Sequence, residues 1–172
     1  MDRIRIGERN MFDRLPLDSE IVIALDVGKV TGAAVWLHTI PDEILVTEIP
    51  TRYAVRDFIK DVYESDYKMS IVCENFVISQ RTIKTAQDPN ALRLIGWLDL
   101  WCEEFGVPFT LRTAASAKSF ATDDKLKALD WFNRTPDGHA NDAARHMLVE
   151  VRANYPEIFN THLIPKLAKI LL

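Results

Sequence analysis

The stretch IVIALDVGKVTGAAVWLH, residues 21–38, carries the most architectural information in this chain. Ile21 to Leu25 form a nearly continuous apolar run with β-branched residues, the composition of a strand covered on both faces. Asp26 interrupts it. An ionised carboxylate in such surroundings is costly unless a cation or strong donors meet it. The ordinary alternative is a strand-end Asp bonded to the backbone of the GKVTG segment (28–32), which reads as a turn. AAVWLH (33–38) then reads as the antiparallel partner, joined by a hairpin.

Further along, Pro41 and Asp42 mark a second turn, and EILVTEI (43–49) reads as the third strand of a meander. The period then changes, with Val55, Phe58, Ile59 and Val62 at helical spacing. SIVCENF (70–76) is a short buried strand, and VISQRTIKTAQ (77–87) a loop without a period. Asp88 as N-cap and Pro89 at the first helical position start a helix that runs to about Phe105. Its stripe is Ala91, Leu94, Ile95, Leu98, Cys102 and Phe105. PFTLRTA (108–114) is the fifth strand, and Thr122 caps a helix carrying Leu126, Leu129 and Phe132. After a Pro-Asp-Gly turn, a last long helix stops before Pro156, with Ala140, Ala143, Ala144, Met147, Leu148 and Val151 as its apolar face. This order predicts an α/β fold: a mixed five-stranded sheet, three strands antiparallel and two parallel, flanked by helices. Residues 1–19 read as an N-terminal extension and 20–172 as one domain.

With 172 residues, 48% of them hydrophobic, the chain can bury a full core, which excludes wholesale disorder. No stretch is apolar enough to span a bilayer and the first residues lack a signal-peptide core, so a cytoplasmic location without membrane contact is expected. Cys73 and Cys102 lie in apolar runs without CxxC or Cys/His spacing, and read as buried reduced thiols rather than zinc ligands. Trp36, Trp97, Trp101 and Trp131 read as packing residues. A net charge of −4 argues against coating nucleic acid through bulk charge, but not against a nuclease whose carboxylates take up cations.

Two further features join Asp26. Glu74 ends an apolar strand that βαβ logic places beside the first one; alone it is equally a strand-end carboxylate facing water. His139 and Asp142, three apart at the start of the last helix, share a face, although Asp142 or Asp137 would also serve the helix dipole. Together they form the oxygen-rich set that Mg²⁺ or Mn²⁺ requires. Two such ions about 4 Å apart activate a water and stabilise the leaving oxygen of a phosphodiester. His146, four beyond Asp142, shares an edge with it and His139, which would also suit zinc, but it reads first as an extra His on an exposed helix edge; His38 and His162 carry no signal.

The strings ALDVGKVTGAAVW, IVCENF and DGHANDAARHML resemble, in chain order, the acidic motifs of the RuvC family of Holliday-junction resolvases, which have the RNase H-like fold. The resemblance spans residues 21–153. It implies metal ligands at Asp26, Glu74 and Asp142, with His139 as a fourth ligand or proton-transfer group; Asp137 fits the spacing less well. Lys118, in ASAKSF, resembles a family lysine near the scissile phosphate. The loop after Glu74 resembles the family's junction-reading loop only loosely. There Phe76 and Ile78 are candidates to wedge against bases, with plain packing as the alternative, and Arg81 and Lys84 are candidate phosphate contacts. Lys29 and Arg112 are further basic residues near these segments.

What the resemblance implies is a Mg²⁺-dependent (or Mn²⁺-dependent), structure-selective endonuclease on branched DNA, a four-way junction or flap. Such an enzyme is a homodimer, and a bacterial or bacteriophage source would be in keeping. The same fold also serves nucleases on flap DNA or RNA and non-catalytic nucleic-acid-binding domains. An ATP-binding domain of the sugar-kinase and actin type would need a second phosphate loop and a larger two-domain chain, which this sequence does not offer.

Overall fold

The computed structural model describes residues 5–6, 9–10, 19–65, 67–76, 89–135 and 138–170. The main sheet has five strands: β1 (Glu20–Asp26), β2 (Thr31–Leu37), β3 (Ile44–Ile49), β4 (Lys68–Glu74) and β5 (Phe109–Arg112). Their spatial order is β3-β2-β1-β4-β5. β1 pairs antiparallel with β2 and β2 with β3, whereas β4 runs parallel to β1 and β5 parallel to β4. This is the RNase H-like arrangement, the mixed sheet expected from the order of elements. A separate two-rung ladder pairs Arg5–Ile6 with Arg9–Asn10 in the N-terminal segment.

Helices cover both faces, which is why β1 and β2 are apolar at almost every position. Ile21, Ile23 and Leu25 pack against α1 (Arg52–Tyr63) and α2 (Asn90–Phe105) through Val55, Phe58, Ile59, Val62, Leu94 and Leu98. Val22 and Ala24 face the other way. With Ala34, Trp36 and Val72 they meet Ala143, Ala144, Met147 and Leu148 of α5 (His139–Asn154). Two short helices, α3 (Ala114–Phe120) and α4 (Asp123–Ala128), and a C-terminal helical segment from Pro156 to Ile170 complete that layer. No helix among the described residues is long and apolar enough to cross a membrane. Cys73 and Cys102 are free thiols and both are buried.

Local chemistry adjusts several boundaries. Helix α2 begins at Asn90, with Pro89 at its cap and no side-chain cap bond; Asp88 lies outside the described residues. Its stripe includes Trp101, whereas Phe105, the helix's last residue, is 42% exposed, its ring against Tyr63 and Trp101. Thr122 does cap α4, accepting from the Lys125 amide, but the helix ends at Ala128. Leu129 and Phe132 therefore lie beyond it, on either side of Asp130, which takes a positive φ of 61°. Helix α3 had no apolar stripe in the sequence to announce it.

Gly32 is not a turn residue. It sits inside β2, opposite Asp26 on one side and Glu48 on the other. A Cβ there would stand 1.8 Å from the His139 carbonyl oxygen and 2.2 Å from its carbon, so the start of α5 rests directly on the bare backbone. Because the obstacle is main chain, no rotamer change relieves it. Gly32→Ala is expected to cost about 3 kcal/mol of stability, at the upper end of overpacking effects. Thermal or urea unfolding would report this, and an unchanged midpoint would contradict so close an approach.

Candidate metal centre

The sheet sets the site by register. Leu25 pairs with Cys73 in the parallel β1–β4 ladder, so Asp26 and Glu74 end neighbouring strands at matching positions. Alternation puts both on the α5 face, the face of Val22, Ala24 and Val72. Helix α5 is seated there by a small polar clamp: Asn141, itself buried, accepts from the Asn133 amide (2.8 Å) and donates to the Asn133 carbonyl (2.8 Å). Asn133 Nδ2 in turn donates to the Val46 carbonyl of β3 (2.6 Å). With Gly138 at the cap in the left-handed region, His139 emerges over Gly32 and meets the end of β1.

There the His139 Nδ1 lies 2.7 Å from Asp26 Oδ2. Asp26 is buried and hydrogen-bonds the Glu74 carboxyl on its other side. Burial, and then the charge of Glu74, push the Asp26 carboxyl up to about 6; the bond to His139 offsets only part of this. For Glu74, half-buried, desolvation acts upward, but hydrogen bonds from His146 and Asp26 hold it below the ordinary carboxylate range. His139 is raised: burial acts against its charge, but the bond to Asp26 together with the charges of Asp26, Glu48 and Asp142 outweighs that.

The other expected ligand, Asp142, shares the helix face but is held differently. Lys118 Nζ lies 2.9 Å from its Oδ2, and Arg145 binds its Oδ1. Arg145 also reaches Asp123 and the Ala121 carbonyl. The hydrogen bond to Asp142 raises Lys118, and the charges of Glu74 and Asp26 act the same way, so this ammonium faces the carboxylates electrostatically. Among the described residues, no three His, Cys, Asp or Glu side chains already converge as a finished metal cage. The donor set nonetheless fits a hard divalent cation in kind. Two carboxyl groups press together with too little positive charge between them, and it is Asp26 whose proton affinity rises in consequence.

The remaining candidates are dispersed. Phe76 is half-buried and packs against the α1–α2 core; Ile78, Arg81, Lys84 and Asp137 lie outside the described residues. Arg112 forms an ion pair with Glu150, its Nε 3.0 Å from Oε2, and Lys29 is exposed. His146 corrects the sequence reading. Rather than lining an exposed edge it is 1% exposed, with Nε2 3.1 Å from Glu74 Oε2. Spacing alone gave the wrong answer because it does not show what packs over that edge, where Glu74 of β4 meets the imidazole. Glu48, which the sequence did not single out, shares the α5 face across Gly32, carries a buried carboxylate oxygen without a partner, and adds to the field that raises His139.

No protein-family model matches this sequence, and no curated protein does. Among solved structures, T. thermophilus RuvC in complex with a Holliday junction substrate is similar with a TM-score of 0.47 at 14% identity, covering 73% of this chain and 89% of that one.

Asp26 binds its proton more tightly folded than unfolded, where an ordinary carboxyl near 3.8 applies. The contribution of Asp26 to folding stability therefore falls as pH rises from about 4 through about 6, and the loss, about 3 kcal/mol, persists above that. In chelator, Asp26→Asn is expected to stabilise the chain at pH 8 and to change it little at pH 4.5. Urea denaturation at the two pH values would test this; a variant weaker than wild type at pH 8 would contradict it.

Proposed function

We propose that this chain is a metal-dependent endonuclease that hydrolyses phosphodiesters in branched DNA. The observation that carries the reading is the buried Asp26 carboxyl, adjacent to Glu74 at the ends of two parallel strands and facing the start of α5. Asp26 and Glu74 would hold Mg²⁺ or Mn²⁺, with His139 and Asp142 completing the set. A divalent ion held there supplies an activated water and charge stabilisation at the leaving oxygen.

The chain's own residues have separable tasks. Asp26 and Glu74 provide hard oxygen donors on a rigid sheet edge. His139 holds a proton at Nδ1 against Asp26 and can pass it on. Lys118, more than half exposed and paired with Asp142, would offer its ammonium to a phosphate oxygen. Arg145, only 14% exposed, keeps Asp142 near the site from the other side.

The choice of branched DNA rests on the three motifs that resemble the RuvC family in chain order. Phe76, Ile78, Arg81 and Lys84 fall in or beside the segment that would meet the junction. A homodimer would set two such sites on opposed strands of a four-way junction.

The test is cleavage of a synthetic four-way junction, a flap and an RNA–DNA hybrid, with and without Mg²⁺ or Mn²⁺. Asp26→Asn is expected to lower the rate by more than about a hundredfold, a loss of roughly 3 kcal/mol of transition-state stabilisation, with junction binding kept. Preferred cutting of the flap or hybrid would move the substrate to another member of the fold. Binding without cleavage by the wild-type chain would make it a non-catalytic module, and a strict monomer on DNA would remove the paired cut.

A further inference from the structure

The imidazole of His146 has no part in the scheme above, yet it is among the most enclosed polar groups of the molecule. It lies on α5, four residues beyond Asp142 and seven beyond His139, on the stripe that faces the sheet. The residue is 1% exposed. Its Nε2 is 3.1 Å from Glu74 Oε2, and its Nδ1 is buried with no hydrogen-bond partner.

We infer that His146 is a positioning residue for Glu74, donating from Nε2 as the neutral tautomer and so directing that carboxylate toward Asp26. Hydrogen-bond inventory selects the tautomer. A doubly protonated ring would bury an Nδ1–H donor with no acceptor, and an unmet donor in a dry interior is costly. The Nδ1–H tautomer would do the same and also turn the Nε2 lone pair against a carboxylate oxygen. Only the Nε2–H form satisfies Glu74 while leaving nothing worse than an unused lone pair at Nδ1.

The role follows from what Glu74 lacks without it. Glu74 is the last residue of β4 and is half-buried, with a flexible side chain that has to be held in one rotamer. Lys118, exposed and tied to Asp142, acts on Glu74 through charge, whereas His146 meets one of its oxygens directly from a rigid helix. Hydrogen-bonded partners behind ligating carboxylates commonly set ligand orientation and cation affinity. This inference rests on Glu74 belonging to the cation site proposed above.

Two substitutions of equal length separate the donor from mere filling. His146→Gln places an amide N–H where Nε2 donates; His146→Met fills similar space without a donor and suits an apolar surround. Mn²⁺ titration of the full chain is expected to give the Gln variant near wild-type affinity and the Met variant a 10–100-fold weaker one. The Met variant should melt no lower than the Gln variant, which marks the difference as one of positioning rather than folding. Long-range ¹H–¹⁵N spectra of the wild-type imidazole test the tautomer without any substitution: a protonated Nε2 and bare Nδ1 are expected. Equal Mn²⁺ affinity in the two variants, or a protonated Nδ1, overturns this role alone. A wild-type chain that takes up no Mn²⁺ overturns the cation site and this role with it.

Discussion

A carboxylate cannot sit at the end of an apolar strand, under a helix, without its surroundings being arranged to suit it. Asp26 is that carboxylate. Glu74 crowds it from the parallel neighbour, and His139 meets it from the helix laid across the sheet. Two acids side by side would repel if both were ionised, so burial and mutual repulsion keep a proton on Asp26 well above the usual range. The same crowding makes the pair receptive to a divalent cation, which would satisfy both oxygens at once.

The close seating of α5 makes this contact possible. Gly32 removes the side chain that would hold the helix off, and Ala140, Ala143 and Ala144 present a thin helix surface to β1 and β2. The Asn133–Asn141 clamp fixes the rotation and height of the first turn. A slightly longer side chain at any of these places would lift His139 from Asp26. On the same face the bulky side chains, Trp36 and Trp131 among them, pack with Met147 and Leu148 of α5 rather than with its first turn.

Charge compensation is spread around the pair rather than placed on it. Lys118 and Arg145 hold Asp142 between them, and His146 supports Glu74. Of these, the Lys118–Asp142 pair is open to solvent on the lysine side and contributes little to stability, on the order of 0–1 kcal/mol. Their consequence here is orientation: they keep a third acid poised at the rim while the buried pair stays short of positive charge.

The fold was largely legible in the sequence because its central strands are nearly continuous apolar runs and its helices repeat with the period that burial imposes. An apolar run broken by Asp26, a second ended by Glu74, and a helix starting His-x-x-Asp were visible as types and spacings. Register then brought Asp26, Glu74 and His139 together. Other features were decided only by tertiary packing. Gly32 looked like a turn glycine because what excludes its side chain, the His139 backbone, lies over a hundred residues away. His146 looked exposed because helical spacing says which residues share an edge, not what closes over it. Glu48 was invisible for the same reason: its place beside the site depends on pairing across β2. Periodicity is local and can be read along a chain, whereas enclosure and hydrogen-bond partnership belong to neighbours that meet only when the sheet and helices pack.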